Sequence, residues 1–278
     1  MEKIKIIMNW LEKVKLNRKL KREQAENKRQ MKRTRALKEG AVKKKGKAAL
    51  CLGGGGARGF AHIGAIQAFM EEGIDFDLVV GCSAGSIVGA LYAAGVAPKD
   101  MLMHGAGLQM KDIKKGFIWS PDDSTTIGTI VSDLIGDKKI EELRKPCCAV
   151  ATDLVEGKQV ILDSGSVATA VSASSTVPLF LKPLILREKH LVDGGLLNNI
   201  PADVCRVMGA DFVITVDVNP TRGAGTKETG LISVLKASFD IMGANASVQG
   251  LINSDIIVAP DLSAFKATDK EGYDSMYR

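Results

Sequence analysis

Histidine is scarce in this chain: three among 278 residues, at positions 62, 104 and 190, none late in the sequence. That placement disfavours a hydrolytic relay in the usual Ser, Asp/Glu, His order. Long apolar runs are absent as well. No stretch reaches the roughly 18 uninterrupted apolar residues of a spanning helix, and the N-terminus has neither the short apolar core nor the small-residue cleavage site of a secretory signal. The expectation is a cytoplasmic protein. Cysteines are few and odd in number, five in all, at 51, 82, 147, 148 and 205. Most sit inside apolar runs, which fits buried thiols and not a disulfide framework. Cys147 and Cys148 are adjacent, so on a strand they point to opposite faces, which argues against a shared metal site. No internal repeat is present.

The remaining composition is that of a globular protein, 45% hydrophobic and 25% charged, in a chain long enough for one large core or two modest ones. Charge is unevenly placed. Residues 1–47 hold 18 Lys and Arg against 5 Asp and Glu, a net of +13, whereas the other 231 carry 20 against 27, a net of −7. Two units follow: a basic N-terminal helix and tether over 1–47, and a folded domain over 48–278. From Ala48 onward, short apolar runs alternate with helical periodicity. Strands are expected at AALCL, LVVGC, CCAVATDL, KQVILD, FVITVDV and DIIVAP, and helices over about 59–72 and 83–94, at IPADVCRVMG and over LISVLKASFDIMGANASVQGLI. Apolar strands alternating with helices predict an α/β fold, with a mostly parallel sheet covered on both faces.

In such a sheet, ligands gather at the carboxyl ends of the strands. Two of the strand-to-helix turns stand out. GGGGARGFAH, residues 53–62, follows AALCL; consecutive glycines let backbone approach a ligand, and the helix N-terminus after them offers unpaired N–H groups to a negative oxygen. GCSAG, residues 81–85, has the G-x-S-x-G form of a nucleophile elbow, which lifts a serine hydroxyl above the sheet. Each also has a plainer reading. GCSAG is equally a small-residue turn where a helix packs close on the sheet, and Gly54, Gly56 and Gly59 also satisfy the dinucleotide pattern G-x-G-x-x-G. That pattern needs an acidic residue at the end of the second strand. Asp75 and Asp77 precede the strand, which disfavours a nicotinamide cofactor.

If Ser83 is a nucleophile, it needs a base. With no histidine suitably placed, the conspicuous carboxylate is Asp193 in LVDGGLLNNIP, where two glycines mark a tight loop after an extended run. The plainer reading of Asp193 is a turn residue, the commoner fate of Asp-Gly.

The set GGGARG (54–59), GCSAG (81–85) and DGG (193–195), with ASSTVPLF (173–180) between the last two, resembles the patatin-like phospholipase family, and specifically its short bacterial members. The likeness runs from about Ala48 to about Phe265. It implies a three-layer α/β/α fold and hydrolysis of lipid acyl esters by a Ser-Asp dyad, with neither metal nor cofactor. By this resemblance Ser83 is the nucleophile on the elbow framed by Gly81 and Gly85. Asp193 is the dyad carboxylate in a loop with Gly194 and Gly195, and Gly54, Gly55, Gly56, Arg58 and Gly59 form the oxyanion-hole turn. Cys82 is not needed for the chemistry. Partial burial is expected to raise the pKa of Asp193, and Arg58 is expected to point away from it. Similar proteins continue through a longer helix where this chain ends at GYDSMYR, which suggests a short or truncated C-terminus.

The basic arm carries its own expectation. In MEKIKIIMNWLEKVKL, Ile4, Ile7, Met8, Leu11 and Val14 follow helical spacing, with Trp10 among them and lysines elsewhere. That resembles an interfacial helix for an anionic membrane surface, followed by a basic tether, and places the protein peripherally on the inner face of the membrane. A nucleic-acid arm is the lower-ranked reading of the same charge. The alternative for the whole chain is a nonenzymatic or phosphate-binding α/β protein. The segment over about 101–140, with Trp119, is a candidate cover for the site. The sequence leaves oligomeric state, head group and acyl-chain preference open.

Overall fold

The structure of the protein is a computed structural model, which describes residues 46–107, 125–178, 180–219, 230–265 and 272–277. The chain divides into two units, Met1–Gly46 and Lys47–Arg278; the basic arm lies outside the described residues, as do Trp119 and its neighbours. Eight strands are described in the second unit: β1 (Ala48–Leu52), β2 (Leu78–Cys82), β3 (Cys147–Asp153), β4 (Lys158–Leu162), β5 (Leu184–Leu186), β6 (Lys189–Asp193), β7 (Phe212–Val216) and β8 (Ile256–Val258). They form one sheet with the hydrogen-bonded succession β5-β6-β3-β2-β1-β7-β8 and β4 paired to β3. The five strands from β3 to β8 in that succession run parallel, while β4, β5 and β6 pair antiparallel.

The parallel strands are apolar throughout because both faces are covered. Every residue of β2 and β3 is buried. On one face Ala49, Cys51, Leu78, Val80, Cys148 and Val150 pack against Ile200 and the helix Ala202–Val207. On the other, the helix Ala84–Ala94 lies so close that a Cβ on Gly89 would sit 3.1 Å from Val79. The result is a mostly parallel sheet covered on both faces, as the alternating pattern predicts, in the three-layer α/β/α arrangement that the family resemblance implies. All five cysteines are buried and free.

One expected element differs. The long helical stretch after Gly230 is two helices, Leu231–Ala246 and Val248–Asn253, meeting at Ser247. Ser247 Oγ donates to Gly243 O at 2.7 Å, and hydroxyl back-bonding of this kind bends helices. The helix before Pro178 stops at Ser174, well short of the proline. Thr176 Oγ1 donates to Ser172 O at 2.7 Å just beyond its end.

The pairing of β3 determines what the sheet brings together. Val150 pairs with Cys82 and Ile161, and Ala151 with Val160 and Asp193. Since a strand has only two edges, β4 takes one edge of β3, and β2 and β6 share the other. These two approach from opposite ends, and their C-terminal residues, Cys82 and Asp193, lie opposite consecutive residues of β3. The sheet therefore places the residue after β2 and the last residue of β6 side by side, although 110 positions separate Ser83 from Asp193.

Candidate active site

Ser83 caps the helix Ala84–Ala94 with φ 51° and ψ −126°. Positive φ is uncommon for a residue with a Cβ and marks stored strain. Hydrogen bonds hold it: Ser83 N–H donates to Ser174 Oγ at 2.9 Å, Ser174 Oγ–H donates to Val150 O at 2.6 Å, and Ser86 Oγ–H donates to Ser83 O at 2.7 Å. The turn leaves no room for side chains beside the serine. A Cβ on Gly81 would meet the Gly85 carbonyl, and one on Gly85 would meet the Leu52 carbonyl.

Asp193 reaches the same point from β6. Its N–H donates to Thr176 O at 2.8 Å, and its Oδ1 accepts from Gly195 N–H at 2.7 Å. The Ser83 side chain lies close enough to its carboxylate to pull its pKa down, and the Cys82 thiol lies 3.9 Å from Oδ1. Asp193 is 3% exposed. Burial pushes its pKa up to about 6, against the opposing pull of the hydrogen bonds from Ser83, Gly195 and Cys82. Burial also raises the Cys82 pKa well above its ordinary value, with the nearby Asp193 charge adding to it. Cys82 is a neutral thiol.

The glycine turn closes over Ser83. Gly53 N–H donates to Val216 O at 3.2 Å and Gly54 N–H to Asn199 O at 3.1 Å. Gly54 thus contributes its lack of a side chain, not its donor: a Cβ there would overlap Asn199 Oδ1 and lie 3.2 Å from Ser83 Cβ. Among the described residues none accepts from Gly55 or Gly56 N–H. Gly56 has φ 57° and opens the 3-10 turn Gly56–Gly59. Gly59 abuts the elbow, since a Cβ there would sit 2.7 Å from Ala84 Cβ. Arg58 faces away from Asp193, with Nε–H and Nη2–H donating to Phe265 O at 2.9 and 2.8 Å and Nη1–H donating to Asn219 Oδ1 at 2.7 Å. Gly194 crosses β3, where a Cβ would meet the Val150 carbonyl, and Gly195 lies against Asn199 Oδ1.

Ser83, Asp193, Arg58 and the glycines named with them therefore lie together at one corner of the sheet, while the candidate cover around Trp119 lies outside the described residues. Three further residues support this corner: Ser174 holds the elbow, Asn199 wedges between the glycine turn and the loop after Asp193, and Asn219 bonds the turn. Ser174 lies within ASSTVPLF and Asn199 within LVDGGLLNNIP, so both belong to recognisable motifs; nothing in the sequence marks Asn219. No histidine takes part. His62 is buried and donates Nε2–H to Gly53 O at 2.7 Å, and desolvation lowers its pKa to about 4, so it is neutral; His104 and His190 are exposed. Asp77 and Asp75 are tied up in the fold, accepting from Ala48 N–H at 2.7 Å and from Lys145 Nζ at 2.8 Å. Among the described residues no cluster of His, Cys, Asp or Glu is arranged to hold a metal ion.

The family model for patatin-like phospholipases matches residues 50–206, more than half of the chain. The chain belongs to the patatin-like phospholipase family. The matched span runs from β1 through the glycine turn, the elbow and the Asp193 loop to the helix Ala202–Val207. Curated patatin-like relatives include two uncharacterised NTE family proteins of Mycobacterium tuberculosis. One is 35% identical over 216 residues, covering 71% of this chain and 59% of that protein; the other is 32% identical over 242 residues, covering 77% and 42%. Patatin-like phospholipase domain-containing protein 6 of the mouse is 37% identical over 180 residues, covering 61% of this chain and 13% of that one. The chain thus spans less than two thirds of the length of these relatives. Among solved structures, VipD from Legionella pneumophila aligns with a TM-score of 0.43 at 18% identity, covering 70% of this chain and 53% of that one. Membership of the patatin-like family rests on the family match and not on that alignment.

Proposed function

We propose that this protein hydrolyses acyl esters of lipids with Ser83 as nucleophile and Asp193 as base. The observation that carries the reading is a serine on a strained turn beside a buried carboxylate whose pKa its side chain pulls down. Ser83 Oγ attacks the ester carbonyl carbon while its proton passes to Asp193. The oxyanion is met by the unspent N–H groups of Gly55 and Gly56, each worth about 3 kcal/mol when well aligned. Collapse of the tetrahedral adduct breaks the ester C–O bond, and the departing alcohol takes the proton from Asp193. Water then attacks the acyl-serine, gives its proton to Asp193, and Ser83 recovers it as the fatty acid leaves.

Family membership supports lipid as the substrate class, and the raised pKa supports the base role, because a carboxyl near its ordinary pKa of about 4 is a poor proton acceptor at neutral pH. Residues 1–47, with their net charge of +13, are proposed to hold the enzyme against an anionic membrane surface. No helix among the described residues is long and apolar enough to cross a membrane, and peripheral attachment needs none. The test is fatty-acid release from anionic phospholipid vesicles by wild type and Ser83→Ala. Release by wild type alone is expected. Equal release by both removes Ser83 from the chemistry, and release by neither removes phospholipid as the substrate.

A further inference from the structure

The first three carbonyls of the glycine turn each have a partner. Gly53 O accepts from His62 Nε2–H at 2.7 Å, Gly54 O from Asn219 Nδ2–H at 2.5 Å, and Gly55 O from Arg58 N–H at 3.2 Å. A trans peptide is planar, so its N–H points opposite to its C=O. Fixing the Gly54 carbonyl therefore fixes the direction of Gly55 N–H, one of the two turn donors with no acceptor among the described residues. Of the three partners, Asn219 is the side chain that acts on the Gly54–Gly55 peptide.

Asn219 is itself held from both ends. Its backbone N–H donates to Asp217 Oδ1 at 3.0 Å, and its Oδ1 accepts from Arg58 Nη1–H at 2.7 Å. Arg58 is anchored in turn by its two bonds to Phe265 O. The hydrogen bonds run head to tail: guanidinium to Asn219 amide, amide to Gly54 carbonyl, and Gly55 N–H onward. Such chains polarise each member in the same sense.

We infer that Asn219 is a positioning residue for ester hydrolysis, aiming and polarising the Gly55 N–H as an oxyanion donor and coupling it to the charge of Arg58. The inference rests on the Ser83 and Asp193 reading above. Asn219 does not touch the reacting atoms. It acts through the Gly54–Gly55 peptide, so its loss leaves the base and the binding surface in place. The same chain gives Arg58 its role. Its positive charge serves the oxyanion through Asn219 and does not lower the pKa of Asp193.

The test is hydrolysis of a soluble ester, p-nitrophenyl butyrate, by wild type, Asn219→Ala, Asn219→Asp and Ser83→Ala, with folded fraction followed by circular dichroism. Asn219→Asp keeps the partner for Arg58 but sets an acceptor against Gly54 O, so it disturbs the donor while the loop stays tied. For both Asn219 variants kcat is expected to fall roughly 10- to 100-fold, with KM within about twofold and the midpoint of the pH profile unmoved. Arg58→Ala is expected to act in the same direction and less than additively with Asn219→Ala. A kcat within about threefold of wild type in either folded variant overturns the inference. So does a loss that only tracks loss of folded protein, or a shifted pH midpoint. An inactive wild type, or Ser83→Ala equal to it, overturns the reading of the site and the inference with it.

Discussion

Asp193→Asn separates the chemical role of this carboxylate from its effect on the fold. Burial raises the pKa of Asp193 from an ordinary 3.8 to about 6, so the folded protein holds its proton more tightly than the unfolded chain does. Stability from this group is fully present below the unfolded pKa and declines as pH rises through about 6. A rise of this size corresponds to about 3 kcal/mol of destabilisation once Asp193 is ionised. Asparagine keeps the shape and cannot ionise. Relative to wild type, the variant is expected to gain roughly 1 to 2 kcal/mol between about pH 5 and about pH 8, while losing hydrolysis. His62, whose pKa is lowered to about 4, gives the opposite slope: its contribution is lost as pH falls below about 6.5. Because both proteins contain His62, that slope cancels in the difference. Urea unfolding of the pair at the two pH values is the assay. A stability difference that does not change with pH would refute an ionised, buried Asp193, and a variant that keeps near-wild-type hydrolysis would refute its role as base.

Other outcomes follow from the same geometry. Hydrolysis of a soluble ester is expected to rise about tenfold per unit up to about pH 6 and level off above it; a flat profile from about pH 5 to pH 8 contradicts a base that titrates there. Gly85→Ala drives a methyl into the Leu52 carbonyl, and its denaturation midpoint is expected to drop by an amount equivalent to several kcal/mol. A melt within about 1 kcal/mol of wild type contradicts the close approach of elbow and β1. Removing residues 1–47 is expected to abolish salt-sensitive binding to anionic vesicles while leaving hydrolysis of soluble esters within about twofold. Unchanged vesicle binding removes the arm from membrane attachment.

Much of the fold is legible in the sequence because both faces of the parallel strands are covered. AALCL, LVVGC and CCAVATD read as apolar runs for that reason. The turn motifs are legible because backbone packs against backbone at Gly81 and Gly85, and because Gly54 closes on Asn199, so that a Cβ at any of the three would collide. The convergence of Ser83 and Asp193 is not a local property. It depends on β2 and β6 sharing one edge of β3 from opposite ends, and neither strand carries a residue pattern that announces its partner. Asn219 was illegible for a similar reason. A single asparagine after β7 looks like any loop residue until the sheet order sets β7 beside β1 and brings it over the glycine turn. The break at Ser247 accompanies its hydroxyl bond to Gly243 O, a local choice that helical periodicity does not reveal, and the second helix packs closely on Ile200 at Gly250.

Mass-spectrometric mapping of a fluorophosphonate adduct tests the central claim most directly, because the probe reacts with an activated serine irrespective of lipid preference. One adduct, on Ser83, is expected in wild type, with labelling slowed at least about 100-fold in Asp193→Asn. No adduct, an adduct on another serine, or labelling of Ser83 unchanged by loss of the Asp193 carboxylate would contradict a Ser83–Asp193 dyad.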